Sequence, residues 1–259
     1  RADHDRARQQ RADEPQGGVD PQRSTEHVTT LSVVDQTAVA SPVDSAAMPG
    51  DDHVPAPYPA PRHAMRLLGL DSEIDAHGEV HGWMPVTDAI RTADGSVRIS
   101  AIAMLMDALG GLRSITAADP DWALTADLSI AMFAAPATDV VGADLHVRRR
   151  GRRTLVIEEG LTDTVTSIGH GLLTFSVVPR PERMAEVRIE STPGRRSMSG
   201  LDPDQPPTLD YIAELGFTEH APGHLSVDLR PEITNTVLAL HGGVHTAMAE
   251  EATASLAQH

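Results

Sequence analysis

One short stretch of the sequence carries residue types that could act on a carbonyl group. Asn235 precedes His241-Gly242-Gly243, and an apolar run then reaches Glu250, nine residues after the histidine. Two glycines at a helix start let a ligand approach the main chain closely. The unpaired amides there can polarise a carbonyl or hold a developing oxyanion. A carboxylate nearby would supply a nucleophile or a general base. Glu250 cannot do so for its own helix, because nine residues advance the axis by ~13.5 Å. The chemistry therefore needs an acid from a second helix packed beside the first. Asp107 is the candidate. It sits among Ile102, Leu105, Met106, Leu109 and Leu112, whose spacing of three and four predicts a buried helix. An aspartate there is costly to bury unless it is paired or used.

The elements that would position these residues follow from patterning. Residues 64–70 predict a short helical turn, and 73–86 alternate as a strand would. Ser100 is expected to cap the long helix, and Pro120 lies beyond its end. Four strand-like runs follow at 124–135, 140–149, 154–162 and 168–178. One helix followed by antiparallel strands is an α+β plan. Residues 180–207, with the polar run 194–199, read as a linker crossed by few contacts. The order then repeats with a period of about 145 residues: a short helix at 209–215, Gly216-Phe217 after Gly69-Leu70, a strand at 225–229 and a long helix at 243–256. Residues 1–57, rich in Arg, Asp, Gln, Pro and Ser, read as a disordered leader.

Composition bounds the chemistry further. A chain of 259 residues with 40 % hydrophobic content can build a packed core. The net charge of −16 argues against nucleic acid or an anionic membrane surface as partner. With no cysteine, any nucleophile is an oxygen or activated water. No run approaches the ~18 consecutive apolar residues of a membrane helix, so no membrane insertion and a cytoplasmic location are expected. His241 and His245 stand four apart but lack a third ligand at a recognised spacing, so no metal is expected. His77 and His81 read as a solvated strand edge, and the run from Arg148 to Arg153 as a solvated hairpin turn that could meet a ligand phosphate. The first residue is Arg1, and 252–259 still read as helix, so the chain is expected to be a fragment whose second unit continues.

Taken together, Asn235 with His241-Gly242-Gly243 and Glu250, the segment Leu105-Met106-Asp107-Ala108-Leu109-Gly110-Gly111, the run 125–136 and the run 147–154 resemble the hotdog-fold acyl-CoA thioesterases of the PaaI and 4-hydroxybenzoyl-CoA thioesterase type. The resemblance spans 64–179 and 209–258. It implies a long central helix wrapped by an antiparallel sheet in tandem: a first hotdog domain at 64–179 and the opening part of a second at 208–259. It also implies thioester hydrolysis between the two units. Asp107 would be nucleophile or general base, the Gly242 amide would polarise the thioester carbonyl, and Asn235 would place the acyl carbonyl or water. His241 would shape the turn, with Gly243 and Thr125 beside the substrate. Arg98-Ile99-Ser100 and Thr92 stand where the motif has His241-Gly242-Gly243 and Asn235, so the reciprocal site at Glu250, a secondary catalytic candidate, is expected to be inactive. Acyl-CoA is the expected partner, with no cofactor and a homo-oligomer of fused hotdog pairs. The alternative is a noncatalytic hotdog protein that binds acyl-CoA or an acyl carrier.

Overall fold

Residues 101–106 are all small or apolar, and every one of them is buried. A helix apolar on all sides needs cover on all sides. The helix α2 (Ile99–Ala118) receives it from a sheet on one face and from the last helix of the chain on the other. The structure, a computed structural model, describes residues 29–32 (backbone only), 58–180, 192–198 and 210–259. The rest of the expected leader, residues 181–191 and 199–207 of the expected linker, and residues 208–209 lie outside them.

Eight antiparallel strands form one sheet in the order β1 (Thr29–Ser32), β4 (Trp122–Met132), β7 (Ser167–Val178), β6 (Thr154–Thr162), β5 (Val140–Arg150), β3 (Val80–Pro85), β2 (Asp71–Ile74) and β8 (Gly194–Ser197). Strands β4 to β7 fall on the four expected strand-like runs, with β4 starting two residues and ending three residues earlier than expected. A long helix lying across a large antiparallel sheet is the hotdog architecture, and the chain covers about one copy of it. The length and apolarity of α2 would also suit a membrane span; here they serve burial inside the fold.

Several local expectations are corrected. Residues 73–86 are not one strand but the hairpin β2–β3. Asp75 Oδ1 accepts from the His77 and Glu79 amides, and Gly78 takes φ +81°, so turn chemistry overrides the alternation. Ser100 does not cap α2. The helix starts at Ile99 after Arg98, and the Ser100 hydroxyl donates to Glu250 instead. The linker contains a strand that joins the sheet: β8 pairs with β2, and Arg195 bonds Asp71 at 2.7 Å and stacks 4.6 Å from the Trp83 ring. Its polar sequence hid it, because main-chain pairing and arginine contacts hold this edge rather than apolar alternation. At the opposite edge β1, inside the expected leader, pairs with β4.

The second segment holds the short helix α3 (Tyr211–Leu215), the hairpin β9 (Thr218–Ala221) and β10 (His224–Ser226), and the helix α4 (Gly242–Ala257). The strand expected at 225–229 is thus shorter and has a partner that patterning missed. Hydrogen bonds make the repeat visible. Arg98 N–H donates to Ile90 O and His241 N–H to Ile233 O; bridges join Arg91 to Val97 and Thr234 to Leu240. Each feature recurs 143 residues on (98 to 241, 91 to 234), and so do Asp107 and Glu250. The same turn precedes both helices, with different side chains.

Candidate active site

The start of α4 lies against the middle of α2 so closely that only glycine fits. A Cβ on Gly243 would stand 2.4 Å from Met104 Cα, and one on Gly242 would stand 2.7 Å from Asp107 Oδ2. The approach delivers the unpaired amide of one helix to the carboxylate of the other. Gly242 N–H donates to Asp107 Oδ2 at 2.8 Å, and Thr125 Oγ1 donates to Oδ1 at 2.8 Å. The register of β4 against β7 shifts between Thr125 and Asp127, a bulge that falls next to the site.

His241 Nδ1 lies 2.8 Å from Asp107 Oδ2 and 3.4 Å from the Gly243 amide. One nitrogen cannot donate to the first and accept from the second. The shorter contact decides for an Nδ1–H that donates to Asp107. Asp107 is only 7 % exposed, and burial alone would raise its pKa. The facing His241 and the bonds from His241, Thr125 and Gly242 outweigh burial and hold the carboxyl below the ordinary aspartate range. It is a buried, ionised base at a helix N-terminus.

A cavity of about 430 Å³ opens on this group. Asp107, Thr125, His241 and Asn235 are among its polar residues, together with Ser72, Ser114 and Thr236, and Met65, Leu112, Ile115, Trp122 and Phe175 are among its apolar walls. Tyr58, Arg196 and Met198 also line it, so the overlooked β8 segment forms part of the wall. An apolar recess with few convergent polar groups suits a ligand with an apolar body and one reactive polar centre.

The structure thus brings together Asp107, Thr125, His241, Gly242 and Gly243, with Asn235 on the same cavity. Two details differ from the sequence reading. The Gly242 amide is already engaged by Asp107. Asn235 Oδ1 accepts from the Val237 and Ala239 amides, so its carboxamide oxygen holds the turn and only its NH₂ is left to meet a ligand. Glu250 stands apart from the cavity. It caps α2 as Asp107 caps α4: Oε1 accepts from Ile99 N–H at 3.3 Å and Oε2 from the Ser100 hydroxyl, while Arg98 bonds Glu251 at 2.6 Å. An arginine thus occupies the place of His241. Of the arginine run, Arg148 pairs with Glu158, and Arg150 donates to Ala117 O at the end of α2.

Patterning missed two residues. Buried His63 caps α1 (Ala64–Leu67), accepting at Nδ1 from Met65 N–H, and its Nε2 meets Thr234 O at 3.0 Å. Its ring stands edge-on to His241 at 5.9 Å, and burial lowers its pKa to about 4. Nothing in the sequence joins positions 63 and 234. Glu159 was legible as the one acid on the core face of β6, among Leu155, Ile157 and Leu161. Among the described residues no cluster of three His, Cys, Asp or Glu could hold a metal ion.

No protein-family model matches the chain. No curated protein matches it either. Solved structures do. A conserved protein of Pseudomonas aeruginosa aligns at 25 % identity over 44 % of this chain and 92 % of its own, with TM-score 0.41. A thioesterase of the same organism, crystallised as a mutant, aligns at 23 % identity over 44 % and 85 %, with TM-score 0.42. A thioesterase of Haemophilus influenzae aligns at 18 % identity over 46 % and 85 %, with TM-score 0.43. The hotdog architecture stands on the helix and sheet described above.

Proposed function

We propose that the chain hydrolyses acyl thioesters, with acyl-CoA as the substrate and Asp107 as the base. The observation that carries this reading is the Asp107 carboxylate, held ionised against the Gly242 amide and facing the apolar cavity. A thioester carbonyl entering the site takes over the Gly242 N–H. Asp107 keeps Thr125 and His241, and its Oδ2, relieved of one donor, becomes more basic. It takes a proton from water as the hydroxide adds to the thioester carbon. The C–S bond then breaks, and the thiolate recovers the proton from Asp107. Asn235 offers its NH₂ to the acyl carbonyl or to the water.

Residues 208–259 are, in the same reading, the opening part of a second hotdog unit, and such fused pairs assemble into a homo-oligomer in the cytoplasm. Glu250 is a helix cap in this reading, and the reciprocal site is inactive. The test is thiol release against short, medium, long and aromatic acyl-CoAs, run beside equilibrium binding of the same compounds. Release of thiol supports the hydrolase. Binding without release supports a noncatalytic protein that binds acyl-CoA or an acyl carrier, a reading favoured by one observation: the Gly242 amide is already engaged by Asp107.

A further inference from the structure

Glu159 has no solvent exposure, and neither of its oxygens has a hydrogen-bond partner among the described residues. It lies under α2 at Gly110, where an added Cβ would come within 3.0 Å of Oε1. Gly110 follows Asp107 by three residues, about one helical turn, so the two carboxyl groups share one side of α2. The neighbours of Glu159 across the sheet are Leu145 on β5 and Gly171 on β7, neither of which can carry charge. Asp107 is the charged group that acts on it. Asp107 has three donors and Glu159 has none, so a charge shared between them belongs on Asp107.

We propose that Glu159 is a positioning residue that holds a proton for the Asp107 site: the two carboxyl groups carry one negative charge, kept on Asp107, while Glu159 stays a neutral acid behind the helix. Burial first, and the charge of Asp107 second, push its carboxyl well above the ordinary glutamate range. When Glu159 ionises at alkaline pH, a second negative charge beside Asp107 opposes the oxyanion forming at Gly242. Glu159 therefore sets the alkaline limit of activity. This rests on the hydrolase reading of Asp107, but the shared charge can be tested without turnover.

The experiment is an infrared pH titration of the full chain and of the variants Glu159→Gln and Asp107→Asn, with pH–rate profiles of thiol release. The wild type is expected to show a protonated-carboxyl stretch at neutral pH that Glu159→Gln lacks. In Asp107→Asn that stretch should vanish at a pH lower by ~1 unit or more, because the opposing charge is gone. Glu159→Gln, which keeps a neutral polar group, should lose the alkaline decline in kcat. Absence of the stretch in the wild type, a titration unmoved in Asp107→Asn, or an alkaline decline that persists in Glu159→Gln would each overturn the proposal. If the wild type releases no thiol, the hydrolase reading fails alone, and the infrared arms still decide the shared charge. If Glu159→Gln does not fold, the Asp107→Asn titration decides it.

Discussion

Gly242→Ala would place a methyl group where the Asp107 carboxylate now lies. The new Cβ would stand 2.7 Å from Oδ2, 2.8 Å from Cγ and 2.9 Å from Oδ1, all inside van der Waals contact. The carboxylate cannot retreat freely, since Thr125 and His241 hold it. Overpacking of this kind destabilises by about 1–3 kcal/mol. Losing a hydrogen bond to a charged group adds about 1.5–3 kcal/mol. A stability loss of roughly 2.5–6 kcal/mol follows. Both terms depend on Asp107, so they should largely vanish when residue 107 is alanine. Urea unfolding of the wild type, Gly242→Ala, Asp107→Ala and the double variant closes the cycle, with an expected coupling close to that whole loss, roughly 2.5–6 kcal/mol. If the two substitutions add to within about 0.5 kcal/mol, the carboxylate is not seated on Gly242 and the reasoning fails. Gly243→Ala is the contrast. Its Cβ would meet the main chain of Met104 at 2.4 Å, so it should force the helices apart whatever residue stands at 107.

Other outcomes follow from the same geometry. His63 is neutral when buried, so between pH 6.5 and about 4 the unfolded chain binds more protons than the folded one, and stability rises with pH across that window. The loss on acidification is on the order of 3 kcal/mol, and urea midpoints measured at several pH values should flatten there in His63→Phe. Glu250→Gln weakens the cap on α2 and is expected to lower stability by about 1 kcal/mol in thermal unfolding while thiol release persists. Single turnover in isotope-labelled water should put label into the product acid and none into Asp107. Label recovered in the Asp107 carboxylate by mass spectrometry would mean direct attack.

The parts legible in the sequence were those written as periodicity. The runs around Ile157 and Leu173 alternate with one face buried, and the apolar stretch of α2 lacks any polar face, so strands, helix and the buried Asp107 could all be read. The pairing of Asp107 with Gly242 was also foreseeable, since one helix cannot bring its own acid to its own start. What stayed hidden depends on tertiary contact. The β8 strand carries Arg195 and Arg196 with no alternation, and its place follows from an open β2 edge, the Asp71 carboxylate and the Trp83 ring. Asn235 reads as a ligand contact through the family resemblance, yet its Oδ1 closes a turn whose Leu238 takes φ 63°, a constraint that residue types do not announce. His63 reaches Thr234 across 171 residues, a separation at which local patterning carries no signal.

The most direct test of the account is steady-state thiol release by the full chain and by Asp107→Asn across the acyl-CoA panel. Turnover by the wild type is expected, with a fall in kcat of about 10²- to 10⁴-fold in the variant, the range for loss of a general base, and KM little changed. Equal kcat in the two proteins would contradict it, since the buried carboxylate would then hold the helices together and do no chemistry.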